Sequence, residues 1–163
     1  MMHNHAGDDY DCPFCKLVRG EDDDGDWTKQ SEIFLRTEHI AAFVSPLWYP
    51  NNNGHVIIIP TKHIENIYTL PRELGGHMLE AAKYISIAFR EIYEATGTSL
   101  RQHNEPDGFQ DIFHYHMEVF PRYKEDRLYS YVRHGRMTSV KEREPYTNKM
   151  RTYFEQKYSG KEK

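Results

Sequence analysis

His114, His116 and Glu118 recur at alternate positions in Gln110-Asp111-Ile112-Phe113-His114-Tyr115-His116-Met117-Glu118-Val119-Phe120-Pro121-Arg122. If that stretch is a strand, the two imidazoles and the carboxylate project from one side, with Ile112 and Phe120 beyond them. Phe113, Tyr115, Met117 and Val119 then form an apolar face on the other side. Imidazole titrates near pH 6.5 and forms covalent intermediates, so His116, central in the row, is a candidate nucleophile or general base. Glu118 could orient His116, accept a ribose hydroxyl or bind a metal. Two histidines and a carboxylate are also the facial triad of non-haem iron enzymes. Asn104 and Gln110 offer neutral donors to an anionic substrate, Arg122 a charged one, and Gly108 allows close backbone approach.

The two cysteines form Cys12-Pro13-Phe14-Cys15. This spacing suits a redox dithiol or half of a metal site. A redox motif normally opens a helix directly after a strand, and no strand pattern precedes Cys12, which favours metal. His63, with His114 and His116, could supply the imidazoles that complete a tetrahedral thiolate–imidazole shell. The plainer alternative is that His63 caps a turn.

Several elements must position these groups. Aromatic and β-branched residues dominate 110–122, and Pro121 closes the run as a strand. His55-Val56-Ile57-Ile58-Ile59 is almost entirely apolar between Gly54 and Pro60, the pattern of a strand buried on both faces. Glu32–Arg36 and His39–Val44 read as a hairpin, and Ser99–His103 as a further strand. Pro71 suits a helix start and Gly97 lies just past its end. Between them Leu74, Met78, Ala82, Ile85, Phe89 and Ile92 form one apolar stripe, which is core packing. Phe14, Leu17 and Val18 form a helical turn ended by Gly20. Ser45–Gly54 is a long loop whose Trp48 and Tyr49 cover a pocket or plug the core edge. Tyr129–Val132 reads as an edge strand. Residues 1–10 read as disordered, 11–140 as the domain and 141–163 as a terminal helix or arm.

A chain of 163 residues with 38% hydrophobic and 13% aromatic content fits one folded domain. Its formal net charge of -4 gives no electrostatic case for a nucleic acid polymer or an anionic membrane. No apolar run approaches the roughly 20 residues that span a bilayer. The polar start argues against a secretory signal, so the expected location is cytoplasmic.

These pieces together resemble the histidine triad (HIT) superfamily. The resemblance rests on Cys-Pro-Phe-Cys, Ala42-Phe43, Gly54-His55-Val56-Ile57-Ile58-Ile59-Pro60-Thr61-Lys62-His63, Arg101-Gln102-His103-Asn104-Glu105 and His114-Tyr115-His116 running to Pro121-Arg122. It spans roughly residues 12–128 in the family's order, most like a bacterial branch. It implies an α+β, HIT-like fold: an antiparallel sheet of about five strands, one long helix packed on it and a short N-terminal helical turn. The implied activity is hydrolysis or transfer at the α-phosphate of a nucleoside phosphoramidate or dinucleoside polyphosphate, through a nucleotidyl-histidine on His116. Asn104 and Gln110 would line the phosphate site and Phe43 would pack the base. By resemblance to the hexose-1-phosphate uridylyltransferase branch, Cys12, Cys15, His63 and His114 would hold a structural zinc. The resemblance also implies a homodimer with a small nucleotide as partner. The chain departs from the family at Glu118, where most hydrolases have a third histidine that donates to the scissile phosphate. A catalytically weak zinc-stabilised nucleotide binder is the alternative, and a non-haem metal enzyme using His114, His116 and Glu118 a further one.

Overall fold

A computed structural model describes residues 4–21, 25, 27–131 and 133–158. The nearly all-apolar run is strand β4, Val56–Pro60, buried at every position. It pairs antiparallel with β2, Ile40–Val44, and with β6, Met117–Arg122. β1, Ile33–Arg36, borders β2, and β5, Gly97–Arg101, borders β6. The five strands run in the order β1-β2-β4-β6-β5, which is the antiparallel sheet the sequence implies.

Alternation along these strands sorts their side chains onto two faces. Ile40, Ala42, Val44, Val56, Ile58, Met117 and Val119 pack into the larger core. Helix α2, Arg72–Ile92, covers that face with Met78, Ala82, Ile85 and Phe89, and Pro71 precedes its first turn as expected. Helix α3, Val140–Tyr158, lies on the same face through Met150, Tyr153 and Phe154. Its Arg143 is fully enclosed and holds Glu32 through Nε–Oε1 at 2.6 Å and Nη2–Oε2 at 2.9 Å. The same guanidinium donates to the Thr138 carbonyl. Gly54, with φ of 77°, makes the turn into β4, where an added Cβ would lie 2.2 Å from the Tyr146 ring of α3.

The opposite face carries Ala41, Phe43, Ile57 and Ile59 and is covered by the short helix α1, Pro13–Arg19, through Phe14 and Leu17. Residues 4–10, read from sequence as disordered, lie against this end of the molecule. The backbone N–H groups of His5 and Ala6 donate to the Glu65 carboxylate, and the His5 ring stacks on Phe113 at 5.2 Å.

Two strand expectations are corrected. The strand expected over 110–122 begins only at Met117. Before it, Gln110 Nε2 donates to the carbonyls of Glu65 and Ile112 and its Oε1 accepts the Glu105 N–H. The His114 N–H turns back to the Ile112 carbonyl, so local bonds replace a ladder. The edge strand expected at Tyr129–Val132 is a 3-10 turn over Leu128–Ser130, with Val132 outside the described residues. Asp126 accepts the N–H groups of Tyr123 and Leu128 and both forks of Arg122, which winds the chain there. The small pairing instead joins β3, Leu47–Trp48, to β7, Arg136–Met137.

Because Glu32 and Arg143 are enclosed together, removing one leaves an uncompensated buried charge. Arg143→Ala should therefore cost about 3–5 kcal/mol in chemical denaturation. Replacing both partners by apolar residues of similar volume should cost much less.

Candidate active site and metal cluster

β6 and the turn before it direct His114, His116 and Glu118 to the α1 side of the sheet. The Phe14 ring meets His114 edge-on at 5.7 Å and His116 at 5.5 Å, while Glu118 lies opposite Ile57 of β4 and Arg101 of β5. The same-side row read from sequence is present, but its three members have different partners.

His114 is fully buried. Its Nε2 lies 3.0 Å from the Pro60 carbonyl, which can only accept, so Nε2 carries the proton. The Nδ1 lone pair then faces Cys12 Sγ at 3.3 Å and Cys15 Sγ at 3.5 Å. His63 Nδ1 lies 3.3 Å from Cys15 Sγ. One ligand atom from each of Cys12, Cys15, His63 and His114 lies within 4.8 Å of all the others. Burial, with His63 and His116 nearby, pulls His114 down to about 4, so the ring is neutral and ligand-competent near pH 7. Burial and the adjacent Cys12 push the Cys15 thiol up to about 12. Two sulfurs and two imidazoles, one of them oriented by a backbone carbonyl, suit a tetrahedral ion such as zinc. A cavity of about 440 Å³ opens beside the set at His63 and Cys15.

His116 has a different geometry. Its Nδ1 lies 2.8 Å from the His114 carbonyl, so Nδ1 donates and Nε2 keeps its lone pair. Burial between Phe14 and the sheet fixes the ring.

Glu118 is held by Arg101, through Nε–Oε2 at 2.6 Å and Nη2–Oε1 at 3.0 Å. Arg101 Nη2 also donates to Tyr49 Oη at 2.8 Å, and the guanidinium lies over the rings of Phe120 and Tyr49. His55 Nε2 is 3.4 Å from Glu118 Oε1, too poorly disposed to bond, and neither His55 ring nitrogen has a hydrogen-bond partner. Burial lowers the His55 pKa, so its ring is neutral. Burial alone would raise Glu118, but the bidentate Arg101 guanidinium outweighs it and lowers the carboxyl to about 2. Arg101 and His55 were missed as site residues. The available signal was a glutamate on an otherwise apolar buried strand, which requires a cationic partner.

The expected ligand-binding residues are divided. Asn104 sits in the loop after β5, where Oδ1 accepts the Ile67 N–H and Nδ2 donates to Gln102. Gly108 ends a short turn, and a Cβ there would meet nothing within 4 Å. Gln110 is consumed by the internal bonds described above. Phe43 is fully enclosed against Phe14. Arg122, at the far end of β6, is engaged by Asp126 and Ser99.

Residues 28–125 match the HIT domain family. The chain is 32% identical over 112 residues to a Bacillus subtilis protein named protein hit, covering 69% of this chain and 71% of that one. It is 27% identical over 139 residues to the bis(5'-adenosyl)-triphosphatase of Dictyostelium discoideum, covering 81% and 92%. Its fold matches the crystal structure of a zinc-bound histidine triad family protein from Mycobacterium smegmatis with a TM-score of 0.72, at 24% identity and 91% and 96% coverage.

The low pKa of Glu118 makes an acid limb in stability. Its contribution is complete above its ordinary value of 4.5 and is lost as pH falls toward about 2. Urea midpoints measured from pH 5 to 2 should fall more steeply for the natural protein than for Glu118→Gln. Parallel curves would show that the ion pair contributes nothing.

Proposed function

The chain belongs to the HIT domain family, and on that premise we propose that it binds a nucleotide and hydrolyses or transfers its nucleotidyl group through His116. The supporting observation is the His116–His114 carbonyl bond at 2.8 Å, which commits the Nδ1 proton and leaves the Nε2 lone pair as the nucleophile of the neutral ring. Nε2 attacks the α-phosphorus, and the leaving group departs with the electron pair of its bond. Water or another acceptor then takes the nucleotidyl group, and the P–N pair returns to His116. Asn104, in the loop between β5 and the row, would orient a phosphate by giving up its bonds to Ile67 and Gln102. The name of the Dictyostelium relative supports a dinucleoside polyphosphate as one substrate.

In this reading Cys12, Cys15, His63 and His114 hold a structural zinc. The ion would pin α1 to the site face and supply no step of the reaction. The placement of His114 toward the thiols and of Glu118 on Arg101 disfavours a facial triad of His114, His116 and Glu118, because the three do not converge on one point. A nucleotide binder with weak turnover is the second reading, favoured by the engagement of Glu118 away from any donor role. A homodimer remains part of the proposal through family membership, and a cytoplasmic location through the sequence pattern.

Incubation with α-³²P-labelled diadenosine triphosphate or adenosine phosphoramidate, followed by rapid denaturation, should leave an acid-labile, alkali-stable label on the protein. His116→Ala should lose the label and at least about 10³-fold in rate, while nucleotide binding by calorimetry persists. Full activity in His116→Ala would remove the residue from the chemistry, and binding without any label would establish the second reading. Metal analysis of the purified chain should find about one zinc, and Cys12→Ser should lose it and lower the melting temperature.

A further inference from the structure

The third place in the row is closed to proton donation, and this bears on what can leave. Resting on the reading of His116 as nucleophile, we propose that the site expels only leaving groups that depart as stable anions, phosphate or polyphosphate, and that Arg101 is the residue that receives their charge.

Glu118 sits one strand step beyond His116, on the side away from His114. Both of its oxygens are taken by Arg101, which lies directly opposite on β5. The Tyr49 hydroxyl and the rings of Tyr49 and Phe120 against the guanidinium hold the pair from the other side. A carboxylate gripped in this way has no proton to give, and its protonation near neutral pH would leave Arg101 as an unbalanced charge in a mostly enclosed setting. His55, the other titratable group against Glu118, is wholly enclosed and uncharged. The His116 Nδ1 proton is committed to the His114 carbonyl. An amine or alkoxide leaving group must be protonated as its bond to phosphorus breaks. A phosphate does not need this, because the electron pair of the P–O bond stays on an oxygen that is already a weak base. Arg101 has a second feature: its Nη1 has no acceptor among the described residues and is not among the enclosed unpartnered atoms. A guanidinium that uses Nε and Nη2 internally and keeps Nη1 free can neutralise Glu118 and still donate to a departing phosphate.

The balance is simple. His116 Nε2 bonds to the α-phosphorus, and the bridging P–O bond breaks with its pair going to the leaving phosphate. Water then adds to phosphorus, the P–N pair returns to Nε2, and one proton passes to solvent.

The test is a series of adenosine monophosphate aryl esters whose phenols span strongly acidic to ordinary, read as the rate of labelled adduct formation on the intact protein. Without a donor, the rate should rise about threefold or more for each unit by which the phenol becomes more acidic. Adenosine phosphoramidate should react at least about a hundredfold more slowly than diadenosine triphosphate. A rate that does not vary along the series, or equal rates for the phosphoramidate and the triphosphate, would overturn the inference while leaving His116 as nucleophile. No adduct from any ester would overturn the underlying reading and this one with it. For Arg101, the neutral pair Arg101→Gln with Glu118→Gln avoids a stranded charge and should fold. It should lose at least about tenfold on diadenosine triphosphate and under threefold on the most acidic aryl ester. Equal losses on both substrates would reduce Arg101 to a structural role. Glu118→His combined with Arg101→Gln, which installs a titratable donor without a stranded charge, should flatten the dependence on phenol acidity.

Discussion

A seven-residue helix has no stability of its own in water, and the site face of the sheet depends on holding one in place. α1 lies over Ala41, Phe43, Ile57 and Ile59 only because Phe14 and Leu17 bury there and because Cys12 and Cys15 meet His63 and His114. Phe14 in turn forms the edge-on wall against which both row histidines rest. The helix does not have to be stable to act. It has to be tied at one end, and the thiol–imidazole set is the tie.

The rest of that face is an exercise in burying charge. Glu118 would be expelled from a strand between β4 and β5 if it stood alone, since an unpaired carboxylate in an enclosed site costs several kcal/mol. Arg101 answers that cost with a bidentate contact at the ladder position directly across. Tyr49 then caps the guanidinium, which gives the long loop after β2 a reason to fold back over the sheet. His55 remains neutral beneath, stacked on Phe120 at 4.3 Å. Neutrality of the Glu118–Arg101 pair removes the repulsion that a bare carboxylate beside His116 would exert on a phosphate.

Most of the architecture was legible in the sequence for identifiable reasons. β4 was readable because both of its faces are apolar, and α2 because Pro71 and a three- and four-residue stripe agree. The start of β6 was not, because the alternation continues through 110–116 while the backbone there is spoken for by Gln110 and by the Ile112 carbonyl. Alternation reports which way side chains face and not whether a ladder forms. The thiol–imidazole set was readable because its donors have unusual chemistry wherever they sit. Arg101 was not, because its contact with Glu118 spans 17 residues and depends on a register that no local pattern states. Gln110 and Arg122 have the right chemistry to bind an anion, yet nothing in residue type distinguishes a donor facing a ligand from one satisfying its own fold.

The row therefore acquires its meaning from what stands opposite each member. His114 meets sulfur and a carbonyl that orients it, which is the disposition a metal ligand requires. His116 meets the Phe14 ring and a backbone carbonyl, which consumes one nitrogen and leaves the lone pair of the other. Glu118 meets a guanidinium, which removes it from proton transfer and brings a permanent cation to the same place. Replacing an imidazole by a carboxylate at such a position would ordinarily subtract a positive charge from a phosphate site. With Arg101 across the ladder, the pair keeps one free edge of positive charge there and gives up the proton. If Glu118 stands where relatives carry a histidine, the position would offer charge neutralisation in place of acid donation, and Arg101 already lies across the ladder to supply it.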